Sequence, residues 1–194
     1  MKMTHDMTLQ DLDIWHPAGQ QQLFRSLLDA FSYPGRIQTS PLNAETWLAL
    51  LSVLVDGQTT LSDPQDMVDE LDWPKLEVQR VPSELAAFVL LDGSRAPEFV
   101  PSLGTLEAPE GGATLLLRVA SLHDDDSSAL RMRLTGPGIR EAVSISVDGL
   151  HQDWITARND WVSSFPLGVE LVLCDEKRFV ALPRTTRIEI GGAA

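Results

Sequence analysis

The residues best equipped for chemistry lie near the end of the chain, in Pro183-Arg184-Thr185-Thr186-Arg187. Two guanidinium groups and two hydroxyls within five residues are suited to holding a phosphate or carboxylate, because arginine pairs with such anions through two parallel hydrogen bonds. Arg36, just after Pro34-Gly35, and the turn Gly136-Pro137-Gly138 are further candidates for contact with an anion. Arg131 and Arg133 alternate with Leu130, Met132 and Leu134 and so share one wet face of a strand. The competing expectation for every one of these arginines is an ion pair with one of the 28 acidic residues. Thus the ligand-binding candidates are Arg184, Thr185, Thr186, Gly136, Gly138 and Arg36, and the sequence assigns no catalytic residue.

Other chemistries are poorly supplied. His5, His16, His123 and His151 stand singly, and Cys174 is the lone cysteine, so a four-ligand zinc site has no donor set and no metal is expected. Cys174 falls inside an apolar run, where a thiol without a neighbouring base is inert. The turn Gly136-Pro137-Gly138 lacks the lysine and hydroxyl of a nucleotide-binding phosphate loop, and no Gly-x-Ser-x-Gly elbow occurs. Asp124 to Asp126 lacks the glycine and distal glutamate of a calcium loop and reads as a solvated turn. The three lysines are Lys2 near the terminus, Lys75 after a proline and Lys177 in a charged turn. A pyridoxal phosphate enzyme needs a lysine in a desolvated site, and none of these is so placed, which predicts that this cofactor is absent.

The elements that must position these residues follow from periodicity. Val169 to Cys174 is nearly all apolar, as in a strand buried on both faces, and Phe179 to Leu182 fits its antiparallel partner across a short polar turn. The segment Pro183 to Arg187 then leaves that sheet at one end. A helix is expected from Pro17, with Leu23, Phe24, Leu27, Leu28 and Phe31 on one face and Pro34-Gly35 as its stop. Asn43 is expected to cap a second helix through Val55, and Asp63-Pro64 to start a short acidic one through Leu71. Strands are expected at residues 37–39, 59–61, 87–91 and 142–147, and in the alternation of Leu76, Val78 and Val81. Pro97 to Leu103 suggests helical turns. Ala113 to Leu122 and Leu130 to Leu134 suggest a hairpin, and Leu150 to Val162 a helix. The fold class predicted is α/β: residues 1–13 a flexible N-terminus, residues 14–194 one layered domain with a mixed β-sheet flanked by helices.

Composition sets outer limits. The 194 residues are 43% hydrophobic and carry a net charge of −13, enough apolar surface for a real core. That charge speaks against a nucleic-acid or anionic-membrane binder. A single buried thiol, no apolar signal-type start and no run of about 20 apolar residues point to the cytoplasm.

Four motifs in one order resemble a known family. They are Phe24-Arg25-Ser26-Leu27-Leu28-Asp29-Ala30-Phe31-Ser32-Tyr33-Pro34-Gly35, Pro109-Glu110-Gly111-Gly112-Ala113-Thr114-Leu115, Leu134-Thr135-Gly136-Pro137-Gly138-Ile139, and Phe165 to Leu171 continuing to Ala181-Leu182-Pro183-Arg184-Thr185-Thr186. Their spacing and the chain length are similar to those of the PhnH family, the H subunit of the bacterial carbon–phosphorus lyase complex. The resemblance implies a fold similar to the large domain of pyridoxal phosphate-dependent transferases, without the cofactor. It also implies a homodimer and association with the G, I and J subunits. The complex degrades alkylphosphonates through a ribose phosphonate triphosphate. This subunit would support transfer of phosphonate onto the ribose triphosphate moiety of ATP, by assembly rather than by its own catalysis. The family supplies no catalytic residue to carry over. The alternative is direct participation, with Arg184, Thr185, Thr186 and the Gly136 to Gly138 turn contacting a nucleotide or phosphonate. Trp15, Trp47, Trp73, Trp154 and Trp161 are the candidate anchors for self-association.

Overall fold

A computed structural model describes residues 13–124 and 130–191. The expected flexible N-terminus, apart from Asp13, together with His5, Lys2 and most of the Asp124 to Asp126 turn, lies outside the described residues. Among the described residues there are four α-helices, α1 (Pro17–Ser32), α2 (Thr46–Leu54), α3 (Trp73–Leu76) and α4 (Asp153–Trp161). The same residues hold eleven strands, β1 (Gln38–Thr39), β2 (Thr60–Ser62), β3 (Gln79–Arg80), β4 (Phe88–Asp92), β5 (Thr114–Arg118), β6 (Ser121–His123), β7 (Leu130–Thr135), β8 (Val143–Asp148), β9 (Glu170–Cys174), β10 (Arg178–Leu182) and β11 (Arg187–Gly191).

The strands form two sheets. The larger is mixed, in the order β1-β10-β9-β5-β4-β2-β3, and the smaller is antiparallel, in the order β11-β7-β8-β6. In the larger sheet β9, β5, β4, β2 and β3 run parallel, while β10 pairs antiparallel with β9, placing Leu182 opposite Leu171 and Phe179 opposite Cys174. The apolar strands expected to be buried on both faces are so: period-two alternation sends Leu116, Val172 and Leu90 to one face and Leu115, Leu117, Leu171 and Leu173 to the other.

Each face has its own cover. On one side lie α1 and α2, with Leu23, Leu27, Ala30, Leu50 and Leu51 fully or almost fully buried. On the other lie the smaller sheet, through Met132, Leu134, Ile145 and Val147, and α4, through Trp154 and Ile155. Burying one such aliphatic side chain contributes about 1.5–3 kcal/mol. The protein is therefore α/β with a mixed sheet, as expected, but helices flank one face and a second sheet covers most of the other.

Several local expectations are corrected. Asp63 starts no helix: its carboxylate accepts from Met67 and Val68 N–H, and Asp66 has a left-handed backbone (φ 50°) that interrupts a helical path. Leu76 closes α3 rather than opening a strand. The second helix starts at Thr46, not after Asn43, and its N-cap Glu45 makes no side-chain capping bond. Residues 97–103 form no helical turn; Leu103 bridges Gly112 instead. The expected strand from Ala113 to Leu122 divides into β5 and β6, which belong to different sheets. Leu130 to Leu134 consequently pairs with β8 and β11, and the expected hairpin with the preceding strand does not form.

Candidate functional site

α4 carries the central residue of the candidate site. Its buried face includes Trp154 and Ile155, and Arg158 follows four residues after Trp154, on the same face. Arg158 is therefore carried inward and is 1% exposed. Its two terminal nitrogens donate to the carbonyls of Thr186 (2.7 Å) and Pro183 (2.6 Å), while Nε has no partner. No carboxylate lies within ion-pair distance of it among the described residues. Burial lowers its pKa to about 10, a change opposed by the field of Glu170, so the group stays charged at neutral pH. A buried cation with no carboxylate bonded to it is costly, by several kcal/mol.

This guanidinium ties down the turn that connects the two sheets. Leu182 ends β10, Pro183 to Thr186 make the turn, with Thr186 N–H donating to the Pro183 carbonyl (2.8 Å), and Arg187 begins β11. A cavity of about 850 Å³ opens over the turn. One wall is α4 and the segment after it, with Arg158, Asn159, Val162, Ser163 and Phe165. The second is the turn itself, from Arg184 to Ile188, and the third is Thr135, Gly136 and Pro137 at the end of β7. Gly136 is required there: its φ is +132°, and a Cβ would lie 2.8 Å from the Thr185 carbonyl. Three arginines line the cavity and no aspartate or glutamate does, in a chain with nearly twice as many acids as bases. Among the described residues, Ser146 Oγ, Arg158 Nε and Thr186 Oγ1 are the buried side-chain atoms without a hydrogen-bond partner, and two of the three belong to this cavity.

The structure thus gathers Arg184, Thr185, Thr186 and Gly136 at one place. It does not bring the other two candidates there. Arg36 stacks on the Tyr33 ring, 4.7 Å from its centroid, and Gly138 packs on the end of α1, where a Cβ would lie 2.4 Å from the Ser32 carbonyl. Arg184 is engaged internally. Its backbone N–H (2.7 Å) and its Nε both donate to Glu170, and Nη1 donates to the carbonyls of Pro109 (2.7 Å) and Pro166 (3.0 Å). Arg133 pairs with Glu189 on the smaller sheet. By contrast Arg187 is exposed, with no ion pair among the described residues. Residue patterning missed Arg158, and its signal was position: an arginine where the apolar stripe of a helix requires a hydrophobe.

Ser121, His123 and Asp148 meet at the β6–β8 edge, where Ser121 Oγ lies 2.8 Å from His123 Nε2 and donates to Asp148 (3.0 Å). Asp148 approaches the same Nε2 (3.4 Å), whereas a nucleophile relay needs the carboxylate on the opposite ring nitrogen. His16 caps α1 by accepting from Ala18 N–H, and His151 accepts from Asp153 N–H. Cys174 is fully buried, and desolvation pushes its thiol pKa well up, so it is no nucleophile at neutral pH. The tryptophans offered as anchors are also spoken for. Trp47 and Trp154 are core, Trp15 and Trp73 are partly buried under Lys75 and Arg80, and Trp161 packs edge-on against Trp154.

Comparison with known proteins agrees with the motif reading. Residues 13–189 match the family model for the bacterial phosphonate metabolism protein PhnH. The chain is 42% identical over 181 residues to a putative C-P lyase subunit protein, HtxG, of Stutzerimonas stutzeri, covering 93% of this chain and 91% of that one. It is 30% identical over 190 residues to the alpha-D-ribose 1-methylphosphonate 5-triphosphate synthase subunit PhnH of Rhizobium meliloti (strain 1021), covering 87% and 90%. The chain belongs to the PhnH family.

Proposed function

From membership of this phosphonate-metabolism family, we infer that the protein is a subunit of a carbon–phosphorus lyase complex that supports transfer of phosphonate to the ribose triphosphate moiety of ATP, contributing structure rather than its own chemistry. The observation that carries this is the state of the reactive groups. The thiol is sealed in β9, Arg184 is spent on Glu170 and two carbonyls, and the Ser121–His123–Asp148 cluster has the wrong order for a relay. The same reading has the subunit work without pyridoxal phosphate. Lys75 pairs with Asp72, Lys177 sits at the β9–β10 turn, and neither lines the arginine cavity.

The partners in this reading are a second copy of the chain and the G, I and J subunits, in the cytoplasm. No helix among the described residues is long and apolar enough to cross a membrane. The surface that supports docking is the outer side of α1, where Phe24 (45% exposed) and Leu28 (50%) lie one turn apart and Tyr33 follows at the cap. Co-expression of the tagged chain with the other subunits tests the reading. A complex of defined stoichiometry with no absorbance from a bound aldehyde cofactor is expected. A chain that elutes alone, or that carries a Schiff base, would overturn it.

A further inference from the structure

The cavity over the β10–β11 turn carries a charge beyond what fixing that turn requires. Arg158 places a permanent positive charge under its floor, with no carboxylate bonded to it. Nε and the neighbouring Thr186 Oγ1 are occluded, so Arg158 acts on the cavity through its field and through the turn it holds, not by direct contact. Arg187 supplies a second, reachable guanidinium at the rim, and the exposed Thr185 adds a hydroxyl. The absence of any acidic lining residue preserves that positive field inside a chain of net charge −13. Apolar groups share the rest of the lining with Thr135, Asn159 and Ser163: Pro137, Val162 and Ile188 line it, and Phe165, 65% exposed, stands among them.

A purely structural arginine would not need this setting. Fixing the Pro183 to Thr186 turn requires two donors, which a neutral side chain could supply without burying a charge. The charge is useful where an anion arrives opposite it, because an electrostatic interaction strengthens when water is excluded. The volume, about 850 Å³, exceeds what a bare oxyanion fills.

We propose that this cavity binds an organic phosphate or phosphonate, its anionic head on Arg187 and Thr185 above the buried Arg158 charge, and its organic body against Phe165, Val162 and Pro137. The site is independent of the assembly role and adds a ligand to it. Binding to the isolated full-length chain therefore reads this proposal alone, whatever the outcome with partner subunits.

Calorimetric titration with inorganic phosphate, methylphosphonate, phenylphosphonate and ATP tests it. Because Arg158 also secures the turn, the variant is Arg187→Gln at the exposed rim, with Arg133→Gln on the smaller sheet as the charge control. Saturable binding of phenylphosphonate or ATP is expected, about tenfold or more tighter than that of inorganic phosphate. Arg187→Gln should weaken it about tenfold with an unchanged melting temperature, and Arg133→Gln should leave it intact. No saturable binding up to about 10 mM of any probe, equal affinity for inorganic phosphate and phenylphosphonate, or equal weakening by both variants would each overturn the proposal.

Discussion

Arg184 and Arg187 are three residues apart in the same turn, yet their environments assign them different work. Arg184 is 11% exposed and bonded to Glu170 and two carbonyls, so its loss strands a carboxylate and two acceptors. Arg184→Gln is expected to cost about 3 kcal/mol in urea unfolding, with Glu170→Gln strongly non-additive to it. A loss of stability below about 0.5 kcal/mol would show that the pair is dispensable. Asp175 carries a different prediction. Burial opposes its ionisation, but hydrogen bonds from the Lys177 and Leu122 N–H groups and from Arg178 outweigh that and hold its carboxyl below the usual range. A carboxyl depressed in the folded state stabilises it above the unfolded pKa, and that stability is lost as pH falls through the folded pKa. The urea midpoint should therefore fall as the pH drops below about 4, and Asp175→Asn should flatten the part of that fall due to this group. An acid limb unchanged by the substitution would contradict the assignment.

At the scale of elements, the hairpin β9–β10 and helices α1, α2 and α4 were legible, because continuous apolar runs and helical spacing mark such elements, although Phe24 and Leu28 of the α1 stripe are half exposed. Cys174 in β9 and the Pro34-Gly35 stop after α1 fall where patterning puts them. What was not legible depended on long-range partners. Nothing between Arg118 and Ser121 announces that the chain changes sheets, since the reason is Ala120 N–H donating to the carbonyl of Asp148, far along the chain. Asp63 looked like a helix cap by residue type, and it does accept backbone donors, but from positions four and five residues on. The turn glycines were legible as turns without their purpose. Gly138 has φ +81° and a Cβ there would lie 2.4 Å from the Ser32 carbonyl oxygen, so Gly138→Ala should lower stability by about 2 kcal/mol or more by locally separating the β7–β8 connection from α1. A neutral effect in thermal melts would show that the two segments tolerate separation. The four anion-site candidates that meet at the cavity were found by residue type; of the two that do not, Arg36 stacks locally on Tyr33, and Gly138 is held by Ser32, remote in sequence.

For the molecule as a whole, the arrangement is a mixed sheet protected on both faces, with short two-residue strands β1 and β3 at its edges. Such edges offer little backbone for sheet extension, so association through side-chain surfaces such as the outer face of α1 is favoured. In the function proposed above, this subunit lends shape, docking surface and an anion pocket to a reaction performed elsewhere in the complex. Following ATP and methylphosphonate by phosphorus NMR tests it most directly, with the chain alone, the other subunits alone, and all together. A ribose-linked phosphonate product is expected from the full set, with loss of that product when this chain is withheld and no turnover by the isolated chain. Product formed by the isolated chain would contradict it.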